Sequence, residues 1–265
     1  MSATAENDAT LARRFRNGRV LRDGHVLYWW KEVLFALAFY LVYSGIRNAT
    51  AGGKAEAYRH AKDIIRWEKS LFIYHEQSIQ QWALHFKPFI ISANYFYGSL
   101  HFIVTIGTIV FLYRKWSDDY PLWRNTLAIA TGLALIGFIT FPLMPPRLLS
   151  EFGYHGYVDT LAKYPTFWSF DSGGVSKISN QFAAMPSVHC CWAGWCACVL
   201  APHVRRTWAK VIAVAYPFFT VTVIVVTANH YILDAVGGFT ALGIGYITAR
   251  TFTRAGRGTP ALDAA

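Results

Sequence analysis

Charge is scarce in this chain. Only 15% of its 265 residues are Asp, Glu, Lys or Arg, against 54% hydrophobic and 17% aromatic. With a mean hydropathy of +0.26, that leaves too little polar surface for a soluble fold of this length. Acidic residues are the rarest, 15 against 25 Lys and Arg. Cysteine is also sparse, and Cys190, Cys191, Cys196 and Cys198 all fall in one apolar run. That clustering excludes a disulfide framework and offers no metal-ligand spacing, so the four read as small helix-packing residues. The first twenty residues lack an apolar h-region, so no cleavable signal peptide is expected. No internal repeat or low-complexity tract is present.

What the chain does have is long apolar runs. A bilayer-spanning helix needs about 20 mostly apolar residues. Five runs qualify: 89–113, 122–144, 182–200, 208–228 and 231–249. A sixth, 27–46, is weaker because Lys31 and Glu32 sit in its first turn, but Tyr28, Trp29 and Trp30 stand where an interfacial aromatic belt would lie. The expected fold class is all-α, a polytopic membrane helical bundle of about six transmembrane helices over residues 27–250. A polar cytoplasmic N-terminal tail (1–26) precedes it and a polar C-terminal tail (251–265) follows.

The net charge of +10 does not call for a nucleic-acid partner, because topology accounts for it. With six spans, Arg13, Arg14, Arg16, Arg19 and Arg22, the Arg114–Lys115–Arg124 group, the Arg205–Arg206–Lys210 group and Arg250, Arg254 and Arg257 all fall on one side. Short basic loops face the cytoplasm. Both termini are therefore expected on the cytoplasmic side of a plasma membrane, with membrane lipids as the partners.

Two long connections stand apart. Residues 47–87 contain an amphipathic stretch, Ile64 to Phe72, expected to lie on the membrane surface or to cap the bundle, with a turn at Ala51-Gly52-Gly53 before it. Residues 145–181 are broken by Pro145-Pro146, Gly153, Gly156, Pro165 and Gly173-Gly174, with aromatics interleaved. They suit a lid or an interfacial anchor.

The residues able to carry chemistry open two of the spans. His230 and Asp234 are four apart, one turn on the same helix face. A carboxylate there fixes one imidazole nitrogen and leaves the other as a nucleophile. A structural His–Asp pair explains that motif alone, but Met185-Pro186-Ser187-Val188-His189 adds a second imidazole. Pro186 suits the first turn, Ser187 can cap, and free backbone N–H groups there attract an anion. In a six-span chain the two starts face the same side. Arg147 follows Pro145-Pro146 on that face and is suited to bidentate phosphate binding. Asn229, Tyr231, Asn180 and Gln181 flank the two motifs as candidate phosphate or headgroup donors, or as loop and cap hydrogen-bonders. His101, Asn94 and Ser99 mark a polar stripe in the second span, read chiefly as helix-to-helix hydrogen bonding. Gly237, Gly238, Gly243 and Gly245 are expected to allow close helix packing.

From Asn94 to Gly245 the pattern resembles the type 2 phosphatidic acid phosphatase superfamily, whose signature is roughly K-x6-R-P, then P-S-G-H, then S-R-x5-H-x3-D. The resemblance implies a six-helix core in which His230 is the nucleophile, Asp234 its orienting carboxylate and His189 the general acid. Ser187 and Arg147 would be phosphate ligands. Thr140 stands in place of the Lys, Leu148 of the Pro, Val188 of the Gly, and Val223-Ile224 of the Ser-Arg. P-P-R, M-P-S-V-H and N-H-Y-x-x-D look more like the inositolphosphotransferase branch, which includes inositol phosphorylceramide synthases. That branch works without a metal or other cofactor on lipid phosphate or phosphoinositol-type substrates.

The expected activity is that of a membrane phosphatase or phosphotransferase with an extracytoplasmic site. The alternative is a non-catalytic lipid-binding or transport protein on the same fold, motivated by the missing Lys and Arg. A vanadate-dependent haloperoxidase shares the site geometry, but the apolar runs argue against it.

Overall fold

The computed structural model describes residues 18–49, 53–166 and 181–257. The described residues are 75% helix. It opens with a short antiparallel pair, β1 (Gly18–Val20) and β2 (Val26–Tyr28), in which Gly18 pairs with Tyr28 and Val20 with Val26. A strand pair therefore lies within the stretch read as a polar tail. Gly24, at φ +83, supplies the left-handed turn residue between the strands.

The helices follow: α1 (Trp29–Ala49), α2 (Lys54–Ser70), α3 (Glu76–Ala83), α4 (Lys87–Lys115), α5 (Tyr120–Thr140), the short α6 (Thr160–Lys163), α7 (Val188–His203), α8 (Thr207–Val226) and α9 (Ile232–Arg257). Among the described residues, α4, α5, α8 and α9 are long and apolar enough to cross a membrane. The α1 helix carries Lys31, Glu32 and Arg47, and α7 has only 16 residues.

Two boundaries differ from the sequence reading for reasons of backbone chemistry. The run 182–200 is uniformly apolar, but helix α7 starts only at Val188. Pro186 disfavours the helical region for Met185 before it, Phe182 lies in a turn, and Ala183 bridges Leu143 in parallel. Pro186 therefore lies ahead of the Ser187 cap and not in the first turn. Likewise the run 122–144 stops being helix at Thr140, because Pro142 and Pro145 cannot continue it.

Helix α7 is the hub, packing against α4, α5, α8 and α9. It is apolar around most of its circumference, which suits a helix surrounded by others. Cys190, Cys191 and Cys196 are buried in its contacts, with no disulfide among the described cysteines. Helix α2 lies over the end of the bundle where α7 and α9 begin. Its buried face, Ala57, Ala61, Ile64 and Ile65, shares a core with Leu143, Ala228 and Tyr231. The amphipathic stretch thus caps the bundle. At the opposite end Arg124 grips both carboxylate oxygens of Glu32, at 2.8 and 2.9 Å, and ties α1 to α5.

Candidate active site

The α8–α9 turn is built to hold His230. Helix α8 ends in a Schellman pattern: Asn229 N–H donates to the Ile224 carbonyl at 3.0 Å and Ala228 N–H to that of Val225 at 2.9 Å. Ala228 takes the left-handed position usually given to glycine, at φ 54. Helix α9 then starts at Ile232, and three acidic side chains accept from three successive backbone donors at that start. Asp234 Oδ2 accepts from Tyr231 N–H at 3.0 Å, Glu76 Oε1 from Ile232 at 3.0 Å and Glu68 Oε1 from Leu233 at 2.8 Å. Three side-chain oxygen acceptors at one helix N-terminus meet the donors that the helix itself leaves unpaired, at the positive end of its dipole. All three acids are fully buried. Burial, and next the nearby Glu76, push the Glu68 carboxyl up to about 9, so Glu68 is protonated at neutral pH.

The His230 ring uses one nitrogen for anchorage. Its Nδ1 lies 2.9 Å from the Ala184 carbonyl and 3.2 Å from Asp234 Oδ2. A carbonyl only accepts, so Nδ1 carries the proton, and in the neutral ring Nε2 keeps the lone pair. His189 stands 5.6 Å from His230 between ring centres. Tyr97 stacks on His189 at 4.1 Å, and His101 sits 4.2 Å from it, tilted by 52°. His101 Nδ1 donates to the Tyr97 carbonyl at 3.0 Å. Tyr97 belongs to a π-helical turn, Phe96–Leu100, inside α4. Such turns re-aim side chains and recur at functional sites.

The sequence candidates divide. His189, His230 and Asp234 come together, with His189 and His230 facing one cavity. Ser187 is buried, and its hydroxyl accepts from Cys190 N–H at 3.4 Å as the α7 cap. Asn229 turns its amide to the Thr227 hydroxyl at 2.9 Å. Tyr231 is fully buried and donates to the Met144 carbonyl at 3.2 Å. Arg147 N–H donates to the Ala228 carbonyl at 2.9 Å, which places it beside the His230 turn, while its Nη1 pairs with Asp159 at 2.7 Å. Gln181 is exposed. Asn180, Gly173-Gly174 and the aromatics Phe167, Trp168 and Phe170 lie outside the described residues, as do Ala51 and Gly52.

The polar stripe of the second span divides. Asn94 bonds the Thr160 and Tyr164 carbonyls at 2.9 and 3.1 Å and holds α6 rather than a neighbouring long helix. His101, from the same stripe, joins the histidine cluster. Glu68, Glu76 and Tyr97 were not singled out in the sequence. Glu68 had a signal: it continues the Ala57–Ala61–Ile64 stripe of α2, a carboxylate at a core position. Glu76 and Tyr97 had none. The departures from the resembling signature have apolar or local partners: Val223 and Ile224 are fully buried among hydrophobic side chains, and the Thr140 hydroxyl bonds its own helix at Ile136.

A family model described as PAP2 superfamily matches residues 62–248, more than half of the chain. No curated protein matches, and no solved structure does.

Proposed function

Because the chain belongs to the PAP2 superfamily, we propose that it is an integral membrane phosphatase or phosphotransferase that acts on a lipid-linked phosphate through a phosphohistidine at His230. The carrying observation is the tautomer of His230: with Nδ1 committed to Ala184 and Asp234, Nε2 is the nitrogen presented to substrate. Nε2 attacks phosphorus and the bond to the lipid oxygen breaks. His189, one ring away, gives its proton to the departing alkoxide, and Asp234 offsets the positive charge of the phosphorylated imidazole. Water or a second alcohol then attacks the P–N bond, neutral His189 takes its proton, and His230 is regenerated. Arg147 leaves Asp159 to pair with the phosphate, and the α7 N-terminus at Ser187 adds backbone donors.

The finer reading keeps the inositolphosphotransferase branch and a metal-independent reaction. Helices α1 and α7 complete six spans with α4, α5, α8 and α9. The basic residues at the end opposite the histidines, among them Arg114, Lys115, Arg205 and Arg206, support a cytoplasmic location for that end and both termini, with the site outside the plasma membrane. Incubating the purified protein with a radiolabelled lipid phosphate, quenching in alkali and mapping the label tests this. Label on His230 is expected, and phosphate release without any labelled protein would sink the phosphohistidine step.

A further inference from the structure

The histidines occupy only one end of a much larger space. A cavity of about 630 Å³ begins at His189 and His230 and continues inside the bundle to Glu32, Tyr120 and Arg124. The helices lining it give its depth. On α4 the lining runs from Tyr97 to Leu112, ~22 Å at 1.5 Å rise per residue. One leaflet of a bilayer offers a chain only ~15 Å, half of the ~30 Å hydrocarbon core. The cavity therefore passes beyond the bilayer midplane toward the far interface.

Its walls and floor differ in chemistry. Between the ends the lining is mostly apolar, as at Phe39, Phe102, Ile106 and Leu127, with the hydroxyls of Thr105 and Thr131 among them. The far end is closed by the Glu32–Arg124 ion pair, with Tyr120 donating to Glu32 at 3.2 Å. Helix α1 supplies one whole wall: Glu32, Ala36, Phe39 and Tyr43, at three- and four-residue spacing, face inward. No described side chain of α1 is buried, and the helix packs chiefly on α5. A helix pinned near its start by an ion pair, with none of its described residues buried, does not close a core. An apolar space this large forgoes dispersion contacts along its walls unless something apolar fills it, and such spaces exclude water.

We propose that the cavity holds one extended hydrocarbon tail of the lipid whose phosphate meets His230. The tail enters sideways from the bilayer between α1 and α4 and reaches as far as the Glu32–Arg124 floor, so the floor limits chain length. The identity of the head rests on the phosphoryl-transfer reading above; the tail site does not. A straight acyl chain and a methyl-branched isoprenoid chain share the required chemistry.

Photoaffinity labelling of the full chain in nanodiscs tests this. The probes are single-chain alkyl phosphates and single-chain prenyl phosphates of graded length, each with a diazirine at the chain end, and labelled residues are mapped by mass spectrometry. Long probes are expected to label Phe35 and Leu112 near the floor, short ones Phe102 and Thr105, and the series that labels deeper names the tail. Ala128 lies midway along the α5 wall, so Ala128→Trp should abolish floor labelling while the short-probe pattern remains. Ala36→Phe, entering from α1, should do the same if the first variant does not fold. Long probes labelling outward-facing Ile103 and Val110, equally in wild type and Ala128→Trp, would overturn the proposal. Labelling reports binding, so deep labelling without phosphate release removes only the catalytic reading, and release with surface labelling alone removes only the tail site.

Discussion

Glu68 Oε1 lies 2.8 Å from the backbone nitrogen of Leu233, across 165 residues of sequence, and anchors the first turn of the helix that carries His230 and Asp234. Because Glu68 titrates at about 9 in the folded protein against 4.5 for the free side chain, the folded state holds a proton that the unfolded chain has released over that interval. Stability from this group is therefore fully present below pH 4.5, falls as pH rises toward 9, and is flat above. Glu68→Gln imitates the protonated acid and keeps the acceptor for Leu233. Its melting temperature should be near wild type at pH 6 and should decline less between pH 6 and pH 9. Glu68→Ala leaves a buried N–H unpaired, at a cost of about 1–3 kcal/mol. Thermal melts at several pH values distinguish the two, and a Gln variant with the wild-type pH slope would rule out Glu68 as its source.

The two histidines have separable roles that leaving-group chemistry exposes. His230→Ala should abolish turnover of every phosphate ester. His189→Ala should slow release of a poorly acidic lipid alcohol by ~10²–10⁴, the usual worth of a positioned general acid. The same variant should lose far less with a nitrophenyl phosphate, whose phenolate departs without a proton. Equal losses on both esters would show that His189 positions substrate or water and does not protonate the leaving group.

The site was legible where local pattern fixes it. His189 and His230 open two apolar runs, and the chain direction of those runs alone brought them to one end. Spacing four residues apart was sufficient to pair Asp234 with His230. What local pattern could not carry is long-range packing. Glu76 reaches Ile232 across 156 residues, and nothing near either residue announces it. Hydropathy also misread 182–187, because apolar side chains continue through Pro186 while the helical backbone does not. Arg147 was expected to await a phosphate, yet Asp159, twelve residues on, already pairs with it.

Ala228 offers a test of how rigidly the His230 turn must be held. At φ 54 a left-handed alanine costs ~1–2 kcal/mol, which glycine would relieve. The Ala228 methyl is fully buried, however, and deleting it forfeits ~0.8 kcal/mol of apolar burial, so Ala228→Gly should leave the melting temperature nearly unchanged. Its kcat should fall, because the turn positioning His230 loses its conformational lock. Ala228→Val puts a β-branched residue at positive φ and should destabilise by ~1–3 kcal/mol. A glycine variant with wild-type kcat would show that the turn's stiffness is irrelevant to turnover.

The α9 glycines look alike in sequence but not in packing. A methyl added at Gly238 would run into the carbonyl oxygen of Ser187 and come within 3.2 Å of the Cys191 nitrogen. Both are backbone atoms that move only if α7 and α9 separate. At Gly243 a methyl would meet nothing within 4 Å. Gly238→Ala should therefore destabilise by ~1–3 kcal/mol, as overpacking does. It should also depress phosphate release beyond that effect, since His189 and Asp234 flank the contact and the two helices carry one histidine each. Gly243→Ala should keep full activity and gain ~0.5–1 kcal/mol from helix propensity. Melting and phosphate release measured side by side check both, and equal behaviour of the two variants would refute close α7–α9 approach at Gly238 as the device that sets the distance between the histidines.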